Sequence, residues 1–335
     1  MRAWQLHAPY GLEALKLVEL DEPEPGPGEV LVRVRAASLN YRDLLIAKGD
    51  YSRRLPLPLV PGSDGAGEVV RAGPGAARFA PGERVVAAFF QRWLSGPMRP
   101  EVRATALGAG YRGMLAQYVV LEEAGLLPVP AHLSFEEAAC LPCAAVTAWH
   151  ALEAGEPVAR GESVLTQGSG GVSLFALQFA KLRGARVIAT SSSKERCARL
   201  AALGADATVD YRANPEWDRA VVELTGGAGC DRIVEVGGAG TLERSLRAIR
   251  VGGLIAVIGV LAGKGSFDPM PVIMKSARLF GISVGPRDMF EAMNRAIVEH
   301  RLRPVIDRTF PLAELPEALR HMEAGAHVGK ICIEL

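Results

Sequence analysis

The chain has only five cysteines, no long apolar run and almost no excess of charge. Cys140, Cys143, Cys197, Cys230 and Cys332 are too few and too oddly numbered for a disulfide framework. They point to free thiols in a reducing, cytoplasmic compartment. No stretch approaches the roughly 18 apolar residues of a membrane span. The best candidate, residues 173–180, is broken by Gln178 and followed by Lys181. Met1 to Gln5 carry no apolar segment of a secretory signal. A formal charge of +1, without blocks of like charge, offers no footprint for nucleic acid or an anionic membrane. The six histidines are scattered and show no metal-ligand spacing.

The chain is long enough for two domains at ~100–200 residues each. At 49% hydrophobic and 22% charged it has material for two cores. The first 125 or so residues read as strands and turns. Residues 29–36 alternate apolar and polar with period two, after a Pro-Gly cluster at 23–28 that no helix survives. Further strands are expected in 60–71, 84–90 and 117–121. Ser134 with Glu137 forms a capping box, which predicts a helix running to about Leu152. From Ser163 onward short apolar strands alternate with helical stretches, ending near 279–284. Such a rhythm predicts a doubly wound parallel sheet. A helix near 290–300 and a strand near 330–334 close the chain.

The strongest motif is Gly168-Ser169-Gly170-Gly171-Val172-Ser173, closing one predicted strand and opening a predicted helix. In that setting Gly168 makes the tight turn and Gly170 lets backbone approach a pyrophosphate. The N–H groups at the helix start then hold the anion. Ser173, in the third glycine's place, is small enough for close packing. An NAD site usually shows Asp or Glu about 20 residues on, bonding the ribose 2′-hydroxyl. Here that place holds Ser191-Ser192-Ser193-Lys194, with no acid until Glu195. Hydroxyls and a lysine suit a 2′-phosphate, so NADP(H) is expected, with NAD(H) possible. Ser193 also suits the N-cap of the next helix, and both readings can hold together. The segment from Gly259 to Lys264 looks like a phosphate-binding P-loop, but its spacing is one short and Gly265 stands where Ser or Thr is needed.

Several segments together resemble the medium-chain dehydrogenase/reductase superfamily, and more closely its zinc-independent, quinone-oxidoreductase-like members. They are residues 29–43, 61–67 and 141–149, the glycine turn, 203–206, and Gly329-Lys330. The resemblance spans essentially the whole chain. It implies an α/β protein with a GroES-like β-barrel catalytic domain, residues 1–127 completed by 301–335. A Rossmann domain, 128–300, would carry the cofactor. It further implies a catalytic cleft and a homodimer.

Zinc members of the family use Cys, His and a later Cys as catalytic ligands. The matching positions here are Asn40, Ser63 and Cys143, and no cysteine precedes Cys140 for a four-cysteine structural site. One soft ligand cannot hold catalytic zinc, so no metal is expected. Hydroxyl and amide donors must then steady the developing oxyanion. The candidates are Asn40, Tyr41, Tyr51, Ser63 and Thr147. Tyr51 resembles the proton-donating tyrosine of related enoyl reductases, or is a loop aromatic at the cleft mouth. Asn40 is the family's cleft asparagine or a turn residue. Tyr211 resembles a tyrosine flanking the adenosine phosphate, or is an ordinary strand-end aromatic. Gly237, Gly259, Val260 and Val284 follow strand ends where ribose and nicotinamide are expected. The expected activity is zinc-independent hydride transfer between NADP(H) and a quinone, enone or aldehyde. Alternatives are oxidative alcohol dehydrogenation and a non-catalytic, dinucleotide-binding redox sensor.

Overall fold

The computed structural model describes residues 1–259, 261 and 265–335. The chain divides into two compact units, one of Met1–Val146 with Gly285–Leu335 and one of Thr147–Val284. The strands, in chain order, are β1 (Arg2–Leu6), β2 (Leu15–Glu19), β3 (Glu29–Leu39), β4 (Asp64–Ala72), β5 (Arg84–Ala87), β6 (Tyr118–Glu122) and β7 (Leu126–Pro128). The second unit contributes β8 (Ser163–Gln167), β9 (Arg186–Ser191), β10 (Ala207–Asp210), β11 (Cys230–Glu235), β12 (Ile249–Val257) and β13 (Arg278–Gly281). The chain then returns to the first unit with β14 (Ile306–Pro311) and β15 (Lys330–Glu334).

In the first unit β1 and β2 form an antiparallel pair, and seven strands form a sheet in the order β14-β15-β3-β4-β5-β7, with β6 also on β3. The alternation read in residues 29–36 becomes β3, its Val30, Val32 and Val34 buried in the core between the strands. The helix Tyr41–Lys48, unforeseen in the sequence, starts at Asn40, whose backbone N–H donates to the Asp43 carboxylate at 2.8 Å. Trp4 Nε1–H donates to the Leu312 carbonyl at 2.7 Å and ties the two ends of the chain within this unit.

The boundaries differ from the expected 127/128 and 300/301. Helix Phe135–Ala139 packs on β3, β4 and β15, so it belongs to the first unit. Helix Arg287–Glu299 is anchored there too, through Arg287 N–H to the Trp93 carbonyl and Arg287 Nη1 to the Ala124 carbonyl, both at 2.8 Å. It buries Phe290, Met293 and Ile297, spaced to share one face, each worth ~1.5–3 kcal/mol. The single helix expected from Ser134 to Leu152 is also corrected. Residues Leu141–Ala145 form a π-turn between two shorter helices, because Pro142 has no N–H for the α-helical ladder.

In the second unit six parallel strands run in the order β10-β9-β8-β11-β12-β13. The strand order reverses beside β8, which places a ligand crevice at the carboxyl ends of β8 and β11. β8 is buried along its whole length, as expected for a central parallel strand covered on both faces.

Candidate active site and cofactor groove

The glycine turn leaves β8 at that reversal. Gly168 has φ +77°, which only glycine adopts freely, and its N–H donates to the Thr190 carbonyl at 2.7 Å. Ser169 is buried, Gly170 caps the helix Gly171–Leu182, and Val172 lies in its first turn. The N–H groups of that turn lack intrahelical partners and so can hold an anion. Ser173 Oγ donates to the Gln167 carbonyl at 2.5 Å, locking the helix onto the strand.

A groove of about 400 Å³ opens over these strand ends. Gln167, Gly168, Thr190, Tyr211, Val236 and Gly237 line it, with Trp217, Thr241 and Arg244. Of the second-strand residues expected at the ribose, Thr190 lines the groove while Ser191 is 1% exposed. Alternation along β9 puts neighbours on opposite faces, so the two cannot both face the groove. The Ser191 carbonyl accepts from Tyr211 N–H at 2.9 Å, which joins β9 to the start of the Tyr211 turn. Ser192 and Ser193 are half-buried, and Ser193 Oγ accepts from Arg196 N–H at 3.2 Å, capping the helix Lys194–Ala202. Lys194 is exposed at that helix's first position.

Glu235, at the end of β11, escaped the sequence reading. It is fully buried. Its Oε1 accepts from the N–H groups of Gly237 and Gly238 at 2.8 and 3.0 Å and from Thr241 Oγ1 at 2.5 Å. Its Oε2 accepts from Gln167 Nε2 at 2.8 Å and from Ser245 Oγ. One carboxylate thus holds the loop that walls the groove. The signal was an acid closing the apolar end of a strand, after Ile233 and Val234 and before Val236-Gly237-Gly238. Gly259 is fixed by sterics, since a Cβ there would lie 1.6 Å from the Val236 carbonyl oxygen. Val260 lies outside the described residues. Val284 has φ +57°, an outlier for a β-branched residue, and its carbonyl accepts from His150 Nδ1 at 2.6 Å. Strained backbone of that kind clusters at functional sites.

The first unit brings Asn40 and Ser63 together in a buried chain of hydrogen bonds. Lys330 Nζ donates to the Leu39 carbonyl and to Asn40 Oδ1, both at 2.7 Å. Asn40 Nδ2 donates to Ser63 Oγ at 3.3 Å, and Ser63 Oγ donates to Asp64 Oδ1 at 2.8 Å. Asp64 Oδ2 accepts from Cys143 N–H at 3.1 Å and lies 3.9 Å from Lys330 Nζ, closing the circuit. Lys330 is 3% exposed, and Ser63 and Asp64 are fully buried. Burial pushes the Asp64 carboxyl above its ordinary value, against the opposite pull of Lys330. Burial likewise lifts Asp43 to about 6. The bonding fixes the Asn40 amide with its oxygen towards Lys330 and its Nδ2 towards Ser63 and Asp64.

Tyr41 and Tyr51 are exposed in this unit, and the Arg42 guanidinium lies 5.2 Å from the Tyr51 ring centre and 4.7 Å from that of Phe89. Thr147 opens the second unit and is 3% exposed.

These residues suit zinc poorly. Among the described residues no three His, Cys, Asp or Glu side chains cluster as a metal site. Burial and the neighbouring Asp64 push the Cys143 thiol well above its ordinary value. An ammonium already occupies the carboxamide oxygen of Asn40.

Known proteins agree with the geometry at the level of family. Residues 26–131 match the alcohol dehydrogenase GroES-like domain and residues 171–299 the zinc-binding dehydrogenase domain. The chain is 41% identical to a zinc-type alcohol dehydrogenase-like protein of Schizosaccharomyces pombe, covering 97% of this chain and 96% of that one. It is 32% identical to the crotonyl-CoA reductase of Streptomyces collinus, covering 94% and 81%. A solved structure of an NAD-dependent alcohol dehydrogenase superposes with a TM-score of 0.91 at 38% identity, covering 100% of both chains. The chain belongs to the medium-chain dehydrogenase/reductase superfamily, with a GroES-like domain and a Rossmann sheet, and is an NAD(P)-dependent oxidoreductase.

Proposed function

We propose that this oxidoreductase transfers hydride from NADPH to a small carbonyl compound (a quinone, an enone or an aldehyde) and does so without zinc. The observation that carries the proposal is the Lys330–Asn40–Ser63–Asp64 circuit, which fills the ligand positions of zinc relatives with a charge-balanced network. A bound reduced nicotinamide supplies the hydride. Asn40 then holds the carbonyl oxygen as it gains charge, through its Nδ2 amide group. Ser63 is a positioning residue, because its one hydrogen is given to Asp64 and its oxygen accepts from Asn40. Tyr51 delivers the proton, and Tyr41 and Thr147 supply further polar contacts. Lacking a Lewis acid, the site favours acceptors that delocalise charge themselves. The enone reading agrees with the name of the crotonyl-CoA reductase relative.

In the cofactor groove the turn from Gly168 to Val172 takes the pyrophosphate. The segment from Ser192 to Lys194 takes the 2′-phosphate, with Tyr211 beside it. Gly237, Gly259 and Val284 would surround the ribose and nicotinamide. A second reading, NAD-linked alcohol oxidation, is favoured by the NAD-dependent alcohol dehydrogenase neighbour.

We also propose a cytoplasmic homodimer. The five free thiols support a reducing compartment, with Cys140 and Cys332 sulfurs 3.5 Å apart. The dimer reading rests on β13, the last strand of its sheet, and the helix Met270–Met274 before it. They expose Phe280, Met270, Ile273 and Met274 at 40–73%.

Fluorescence titration with NADPH and NADH, followed by turnover on quinones and enones after exhaustive chelation, tests the main reading. Tighter NADPH binding and retained turnover are expected. Tighter NADH binding with alcohol oxidation would favour the second reading. Activity that returns only with added zinc would overturn the metal-free mechanism.

A further inference from the structure

We infer that Arg244 is a specificity residue of the cofactor groove, recognising the phosphate that distinguishes NADP(H) from NAD(H). This deepens the NADP(H) reading and rests on it. Among the described residues lining the groove, Arg244 is the one that carries a formal charge, and no carboxylate lines it. Its charge is largely to spare. The nearest acid is Asp218, 3.7 Å from Arg244 Nε, but Asp218 is buried and already accepts from Arg247 Nε at 2.6 Å. The Arg244 side chain remains 39% exposed.

The helix Leu242–Ala248 that carries it is held in place at the groove. Thr241 and Ser245 donate to the buried Glu235, and Leu242, Leu246 and Ala248 are buried beneath it. Arg244 therefore presents a cation from a fixed base into a pocket that also contains Thr190 and Tyr211, at the ends of the two strands expected to flank the adenosine ribose. The hydroxyls read as phosphate ligands in the sequence are partly spent. Ser191 is buried and Ser193 caps a helix. A 2′-phosphate carries nearly two negative charges and three acceptor oxygens, and the planar guanidinium fork matches it in a way a lysine cannot.

The test is equilibrium titration of the full-length protein with NADPH and NADH, for the wild type, Arg244→Ala and Arg244→Lys. Arg244→Ala is expected to weaken NADPH by about 10- to 100-fold while NADH changes less than about twofold, with Arg244→Lys between. The Kd ratio of NADH to NADPH should fall accordingly, and 2′,5′-ADP should lose affinity in step while 5′-AMP does not. If NADPH and NADH weaken equally, Arg244 contacts the shared adenine or a diphosphate and the inference fails. An unchanged ratio in the variant, with wild type favouring NADPH, also overturns it and leaves the cofactor reading standing. A wild-type ratio at or below one overturns the cofactor reading and the inference together. Circular dichroism of the variants shows whether folding is retained, and Arg244→Lys carries the test should Arg244→Ala fail it.

Discussion

The two units solve different problems with different parts of the polypeptide. The cofactor groove of the second unit is built mostly from backbone. A glycine in the left-handed region, the first N–H groups of a helix and the ends of parallel strands line it, and the residues of the glycine turn are near neighbours in sequence. The Asn40 circuit of the first unit is built from side chains. Lys330 and Asn40 bond across 290 residues of chain, and Asp64 meets Cys143 across 79. A backbone site tolerates sequence change as long as glycine and strand order survive. A side-chain circuit fails when one member goes, because each group left behind is buried and unpaired.

The sharpest way to break this contrast is Asn40→Ala. It should lower kcat/KM by ~10²–10³, the usual loss for one oxyanion donor, while the Kd for NADPH stays within about twofold. An equal loss in cofactor binding would show that Asn40 serves the fold instead of the reaction. Next is Glu235→Ala, at the buried carboxyl that holds the groove's loop. Its removal strands five donors, so unfolding free energy should drop by ~3 kcal/mol or more and NADPH should bind more weakly. Denaturant unfolding and titration check the two effects. A stable variant with wild-type affinity would show that the loop holds itself.

Asp43 offers a pH test. Burial raises its carboxyl from 3.8 to about 6, and its Oδ1 has no protein partner. Between about pH 4 and 6 the folded chain therefore holds a proton that the unfolded chain has lost. The contribution to stability is present below pH ~4 and disappears as pH rises through 6. Asp43→Asn should be more stable than wild type at pH 8, by ~1–3 kcal/mol, and the advantage should vanish towards pH 4. Melting curves across that range decide it; a pH-independent difference would mean Asp43 does not titrate there. The smallest effect expected is from His150→Ala, which frees the strained Val284 carbonyl. A loss of ~1 kcal/mol in stability is anticipated, with a modest rise in the Kd for NADPH. No change in either would mean that Val284 keeps its conformation unaided.

Sequence alone determined the parts whose physics is local. Period-two alternation set β3, and the strand-turn-helix context gave Gly168 and Gly170 their meaning. The β-α rhythm set the parallel sheet. Tertiary structure decided what depends on distant partners. It turned the Asn40 amide towards Lys330 and committed the Ser63 hydrogen to Asp64. It also chose Thr190 over Ser191 for the groove, gathered five donors on Glu235, and moved the helices near 135 and 290 into the first unit. Spacing along a chain fixes which face a residue takes on its own element. Which element comes to lie opposite, and with what charge, is set only when the strands have paired.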